Sequence, residues 1–262
     1  MRLPLRRAGR AGHGGPKGTP RWARYRPGDE PVGMAELVSP LRYDVLVRAR
    51  FLELLGERLD RVEDDLDSAV REGLAHPYHT WFTTIALPRY RPWDAASEPR
   101  RRAAFRQRVG RSAALLASFR RHGFDPRYPV TLSTAVPGAP TESGKVVARR
   151  LYPVDGCHRL ALLLVAGHST LEPAWYRVRT EPLAAPIDNT HALLRTLRID
   201  PVEYYRFLSL GYAGARLGDR ASLLRDVAVR RPDRLAELER VLEVDERALG
   251  TPIQSPCRGE SR

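Results

Sequence analysis

Apolar residues recur at helical spacing from Ser39 onward. Val45, Leu46, Ala49, Leu52 and Leu55 mark a first segment, and Leu59, Val62, Leu66 and Val70 continue it beyond Gly56. Acidic residues fill the gaps, so both read as packing helices. Trp81 to Leu87, rich in aromatic and β-branched residues, reads as a strand or an irregular approach to the core. Pro88, Pro92 and Pro99 then punctuate a predicted loop that carries Asp94 and Glu98. Phe105 to Phe119 is again helical, Pro129 to Leu132 extended, and Gly138 to Gly144 suits the tip of a hairpin. A helix ending at Gly167 and a short strand over Trp175 to Val178 complete this β-rich stretch.

Past Pro186 the pattern returns to helices, the first opened by Asn189 and running to Leu197. Asp200-Pro201-Val202-Glu203 sets a capping acid before a first-turn proline and a glutamate three residues after the cap, and Gly211 is the expected end. Ala221 to Val229 and Arg234 to Leu242 predict two more. No internal repeat and no sustained heptad is present. The order predicts an α+β chain with a helical N-terminal region over 34–87 and a mixed α/β core over 88–185. A helical annex over 186–250 and a frayed tail over 251–262 follow. A chain of 262 residues is long enough to bury a real core.

Charge modifies this picture at one end. Of the net charge of +13, residues 1–33 hold eight basic against two acidic side chains, 8 − 2 = 6, in a segment rich in Gly and Pro. Such a segment buries too little apolar surface to order itself, which predicts a disordered basic tail; a nucleic-acid arm is the sharper alternative. Met34 offers an alternative start. No apolar run approaches the roughly 20 residues that a membrane helix needs, and no apolar segment follows the basic start as in a secretory signal. Cys157 and Cys257 cannot supply a disulfide framework or a four-ligand zinc site. The expectation is a soluble cytoplasmic protein without a membrane partner.

The chemistry concentrates in Asp155-Gly156-Cys157-His158-Arg159, at the junction of a strand with the apolar run Leu160 to Val165. A helix begins there, and its first N–H groups lack intrahelical acceptors and carry the positive end of the helix dipole, so an anion is favoured. Gly156 gives a ligand access to the backbone. Asp155 is placed to hold magnesium or to accept a hydroxyl proton, and His158 and Arg159 to donate to phosphate oxygens. Blander readings stand beside these: Asp155 as a helix cap, Cys157 as a small buried side chain, and His168 satisfied at a helix exit. Gly144-Lys145 lacks the spacing of a Walker phosphate loop.

The box resembles the D-G-x-H-R motif of the ParB/sulfiredoxin superfamily, which includes chromosome-partition ParB proteins, sulfiredoxins and free-serine kinases. The flanking order of helix, strand, strand, box and helix over about Pro88 to Arg179 is similar to that superfamily's core. Ser39 to Asp44 and Gly123-Phe124-Asp125 also look like uncharacterised bacterial proteins with a D-G-x-H-R-L-A box, found among surface-sugar and natural-product genes. The resemblance implies a ParB/sulfiredoxin-like core in which Gly156, Cys157, His158 and Arg159 cradle the phosphates of ATP or ADP. Asp155, with Mg2+, and His158 would act on a small hydroxylated metabolite such as an amino acid or sugar. Free-serine kinases add an upstream glutamate, for which Glu98, Glu142 and Asp94 are the candidates by position. Sulfiredoxins carry cysteine where Cys157 stands, but Asp155 replaces a glycine of their box. A ParB-like nucleotide switch or DNA-binding regulator is the alternative, and a non-catalytic binding protein the third reading. Nucleic acid is the less favoured partner, because no convincing recognition helix follows Pro186.

Overall fold

The computed structural model describes residues 24–58 and 65–250. Residues 1–23, Leu59, Val62 and residues 251–262 with Cys257 lie outside the described part. Residues 24–33, read from sequence as part of the basic tail, instead hold two short strands, β1 (Tyr25–Pro27) and β2 (Val32–Gly33). Nothing local predicts β1; it is fixed by pairing to a strand far along the chain, and Tyr176 Oη donates to Glu30 O at 2.7 Å to hold the connection.

Helices follow as α1 (Met34–Val38) and α2 (Tyr43–Gly56). α2 buries residues on more than one face, including Val45, Phe51, Leu52 and Leu55, which makes it the central helix of the fold. Next come α3 (Leu66–Ala75) and α4 (Pro77–Trp81), and then a π-helical turn over Phe82–Ala86. Trp81 to Leu87, expected as a strand or an irregular approach to the core, is therefore helical. Aromatic and β-branched content marks a buried segment in either state, and here the burial of Tyr78, Trp81 and Phe82 beside Phe51 and Phe105 selects the helix. The proline-marked loop is likewise built of short helices, α5 (Leu87–Tyr90) and α6 (Pro92–Ala95), each with proline in its first turn. The long helix α7 (Glu98–His122) then ends at Gly123, whose φ of +70° suits a residue without Cβ.

The remaining strands are β3 (Val130–Ser133), β4 (Tyr152–Asp155), β5 (Thr170–Leu171) and β6 (Tyr176–Arg179), with helix α8 (Cys157–Val165) after β4. Together they give a mixed four-stranded sheet of order β1-β6-β3-β4 and a two-stranded pair β2-β5. β3 runs parallel to β6 and antiparallel to β4. All four residues of β3 are buried, as expected of a central strand covered on both faces. Leu160 to Leu163 of α8 are buried and pack chiefly against α2, so the box is held between sheet and central helix. The α+β reading stands at this level.

The C-terminal helices are α9 (Asn189–Thr196), α10 (Pro201–Tyr212), α11 (Arg220–Arg230) and α12 (Leu235–Leu249). Asp200 caps α10 by accepting from Val202 N at 3.0 Å, with Pro201 in the first turn. α10 continues through Gly211 to Tyr212, because Gly211 sits tight against Ser39 and serves close packing rather than an end. The hairpin between β3 and β4 reaches this annex through Lys145. Its Nζ lies 2.9 Å from Asp245 Oδ1 and 3.0 Å from Asp188 Oδ2, and all three side chains are fully buried. No helix among the described residues is long and apolar enough to cross a membrane.

Candidate phosphate-binding cleft

β4 ends at Asp155, and Gly156 turns the chain into α8 with φ +92° and ψ 16°. A Cβ at Gly156 would lie 3.1 Å from Val130 Cα and 3.2 Å from Arg159 Nη2. Glycine is thus required here by a left-handed backbone pressed against β3, a demand separate from ligand access. Arg159 and Leu160 N–H donate back to Gly156 O, whereas Cys157 and His158 N–H meet no protein acceptor among the described residues. Asp155 Oδ1 accepts from Gly156 N at 2.7 Å and so does not cap α8 through its second or third N–H. Its side chain is 75% exposed and lies 3.7 Å from Arg159 Nη2.

These groups line a cleft of about 440 Å³ between the end of α7 and the start of α8. Ser118, Phe119, Phe124 and Tyr128 contribute on the α7 side, with Asp125 on the turn that follows. Trp175 backs Phe124, ring centroids 5.3 Å apart, and fixes that wall. Asp125 accepts from Arg127, and that hydrogen bond holds its carboxyl below the usual range. The cleft therefore presents two carboxylates, two unpaired amides and aromatic walls to one ligand.

Two side chains predicted to reach that ligand turn inward instead. His158 Nε2 meets Tyr78 Oη at 3.0 Å, and burial, aided by the Arg48 and Arg108 cations, holds its pKa well below the usual value. Burial raises the Tyr78 pKa, so the phenol keeps its proton, and a neutral phenol meets a neutral imidazole. Arg159 Nη1 donates to the carbonyls of Tyr128 and Pro129, the second at 3.0 Å, tying α8 to the approach of β3. Cys157 Sγ accepts from Arg42 Nη2 at 2.8 Å. Arg42 also donates to Pro153 O and to both oxygens of Asp44, which pairs with Arg48 as well. Burial opposes ionisation of Asp44, but the two guanidiniums outweigh it and hold the carboxyl far below its usual range. This buried cluster braces the box from behind.

Glu98 is not part of the cleft. It starts α7 and pairs with Arg101 and Arg102, while the cleft begins at Leu115, about 26 Å further along the helix at 1.5 Å per residue. Asp94 pairs with Arg91 and Glu142 with Arg89, so neither supplies the missing acid. Asp125 does lie in the lining, and its signal was the Gly123-Phe124-Asp125 turn at the helix exit. Among the described residues no group of three or more metal-ligating side chains forms, so magnesium held by Asp155 would need phosphate oxygens and water to complete its coordination. No family model, no curated protein and no solved structure matches the chain.

Proposed function

We propose that the protein is a nucleotide-dependent phosphotransferase acting on a small hydroxylated metabolite such as an amino acid or sugar. The observation that carries this reading is the pair of unpartnered amides, Cys157 and His158 N–H, at a helix start beside an exposed Asp155 in an aromatic-walled cleft. The amides would hold the terminal phosphate of ATP or ADP, and Phe124 or Tyr128 would face the base. Arg159 would act chiefly by fixing the backbone that presents the amides. Asp155 would hold Mg2+, which would supply charge neutralisation.

In the transfer, the acceptor hydroxyl gives its proton to the Asp155 carboxylate while its oxygen bonds to the terminal phosphorus. The bond from that phosphorus to the leaving nucleotide oxygen breaks, and the leaving oxygen keeps the electron pair. Asp155→Asn keeps the shape but removes both the base and the anionic metal ligand, so turnover should fall by about 10² or more. Phosphoryl transfer from ATP and from ADP to a panel of amino acids and sugars tests this; full activity in Asp155→Asn rejects the role of Asp155. The commitment of His158 and Arg159 to protein partners favours a second reading, a nucleotide-binding protein without transfer. Saturable nucleotide binding with no turnover across the panel would select it.

A further inference from the structure

A second surface stands apart from the cleft. From Leu87 to Arg111 the chain carries eight arginines against Asp94 and Glu98, 8 − 2 = 6 of the net charge of +13. Arg100, Arg108 and Arg111 have no carboxylate partner among the described residues. In the same stretch Trp93 is 77% and Tyr90 64% exposed. Arg100 lies over the Trp93 ring at 5.4 Å and Arg89 over Tyr90 at 5.7 Å, so each ring stands beside a guanidinium. Arg100, Gln107, Arg111 and Ser118 follow one another at steps of seven, four and seven, which places them along one side of α7. That stripe runs about 27 Å from Arg100, beside Trp93, to Ser118 in the cleft wall.

We propose that this stripe binds a single-stranded nucleic acid, its bases stacked on Trp93 and Tyr90 and its phosphates on Arg100 and Arg111. Cations alone attract any polyanion; exposed flat rings set among them select a strand whose bases are free to stack. A duplex keeps its bases paired and offers these rings nothing. A lipid surface is the weaker fit, because no large aliphatic side chain is exposed between Leu87 and Arg111 to insert beside the rings. The inference does not depend on what the cleft binds.

The test is fluorescence anisotropy of a labelled oligothymidylate titrated with the full chain, beside a duplex of equal length and phosphatidylserine vesicles. Single strand should bind more tightly than duplex. Trp93→Ala and Tyr90→Ala should each weaken it about tenfold, with melting curves unchanged. Replacing Arg100 and Arg111 by Ala should lower the slope of log affinity against log salt by about 0.7 for each. Equal binding of duplex and single strand, or unchanged affinity in Trp93→Ala, overturns the proposal. So does vesicle binding that depends on Trp93 while the oligonucleotide is ignored. Nucleotide binding in the cleft should be the same in Trp93→Ala as in the parent, so failure here is distinguishable from failure of the phosphotransferase reading.

Discussion

Replacing Lys145 with methionine would remove the ammonium from a buried site where two carboxylates meet, leaving only the His191 ring 3.7 Å from Asp245. Lys145 Nζ contacts Asp245 at 2.9 and 3.0 Å and Asp188 at 3.0 Å, all at zero exposure. Tyr204 Oη donates to Asp245 at 2.9 Å and Ser143 Oγ to Asp188 at 2.6 Å, but no hydroxyl neutralises a charge. Methionine fills similar space, so the loss is electrostatic: two buried carboxylates without their counter-ion. Breaking a buried pair in this way costs about 3 to 5 kcal/mol. For a chain of this size that is a fall of about 10 °C in Tm. Urea unfolding monitored by circular dichroism measures it directly. Lys145→Met with Asp245→Asn should be less damaging than the sum of the two single variants, by about 1 kcal/mol or more, because the second change removes the charge the first exposed. A single-variant loss below about 1 kcal/mol, or strict additivity, refutes the idea that this triad fastens the hairpin to the annex.

Asp44→Asn should cost about 3 to 5 kcal/mol, since Arg42 and Arg48 would be left buried without their anion; chemical denaturation checks it. His158 stays neutral when folded but binds a proton near pH 6.5 when unfolded, so its contribution is intact above that pH and is lost as pH falls toward the lower folded value. His158→Gln should therefore flatten the acid limb of a stability profile by up to about 1.4 kcal/mol per pH unit below 6.5, and parallel profiles would contradict this. Gly156→Ala should cost at least about 1 kcal/mol through its φ of +92° and the Val130 contact, read as a lower urea midpoint. Removing residues 1–33 should lower Tm, because β1 and β2 leave with them and β6 loses its edge partner.

The helical frame was legible where periodicity and capping agree, as at Asp200-Pro201, and the box was legible because an acid and glycine precede an apolar run. The π turn at Phe82–Ala86 was not, because its side chains suit a buried strand equally and only packing on Phe51 and Phe105 decides. β1 is three residues held by a partner more than a hundred positions away, which no local pattern carries. The inward commitment of His158 and Arg159 was hidden for the same reason, since Tyr78 and Tyr128 reach them only in the fold. Lys145 did leave a trace: Lys17 and Lys145 are the chain's only lysines. In so arginine-rich a sequence, a compact ammonium suits a closed site between two carboxylates better than a planar guanidinium would.

The most direct test of the cleft is a backbone amide titration by NMR with ADP and magnesium, following Cys157 and His158. The account predicts saturable shifts of these two amides, with smaller changes at Phe124 and Tyr128 and none at Lys145 or Asp245. Cys157 and His158 amides that stay fixed while the nucleotide binds elsewhere, or no binding at all, would contradict it.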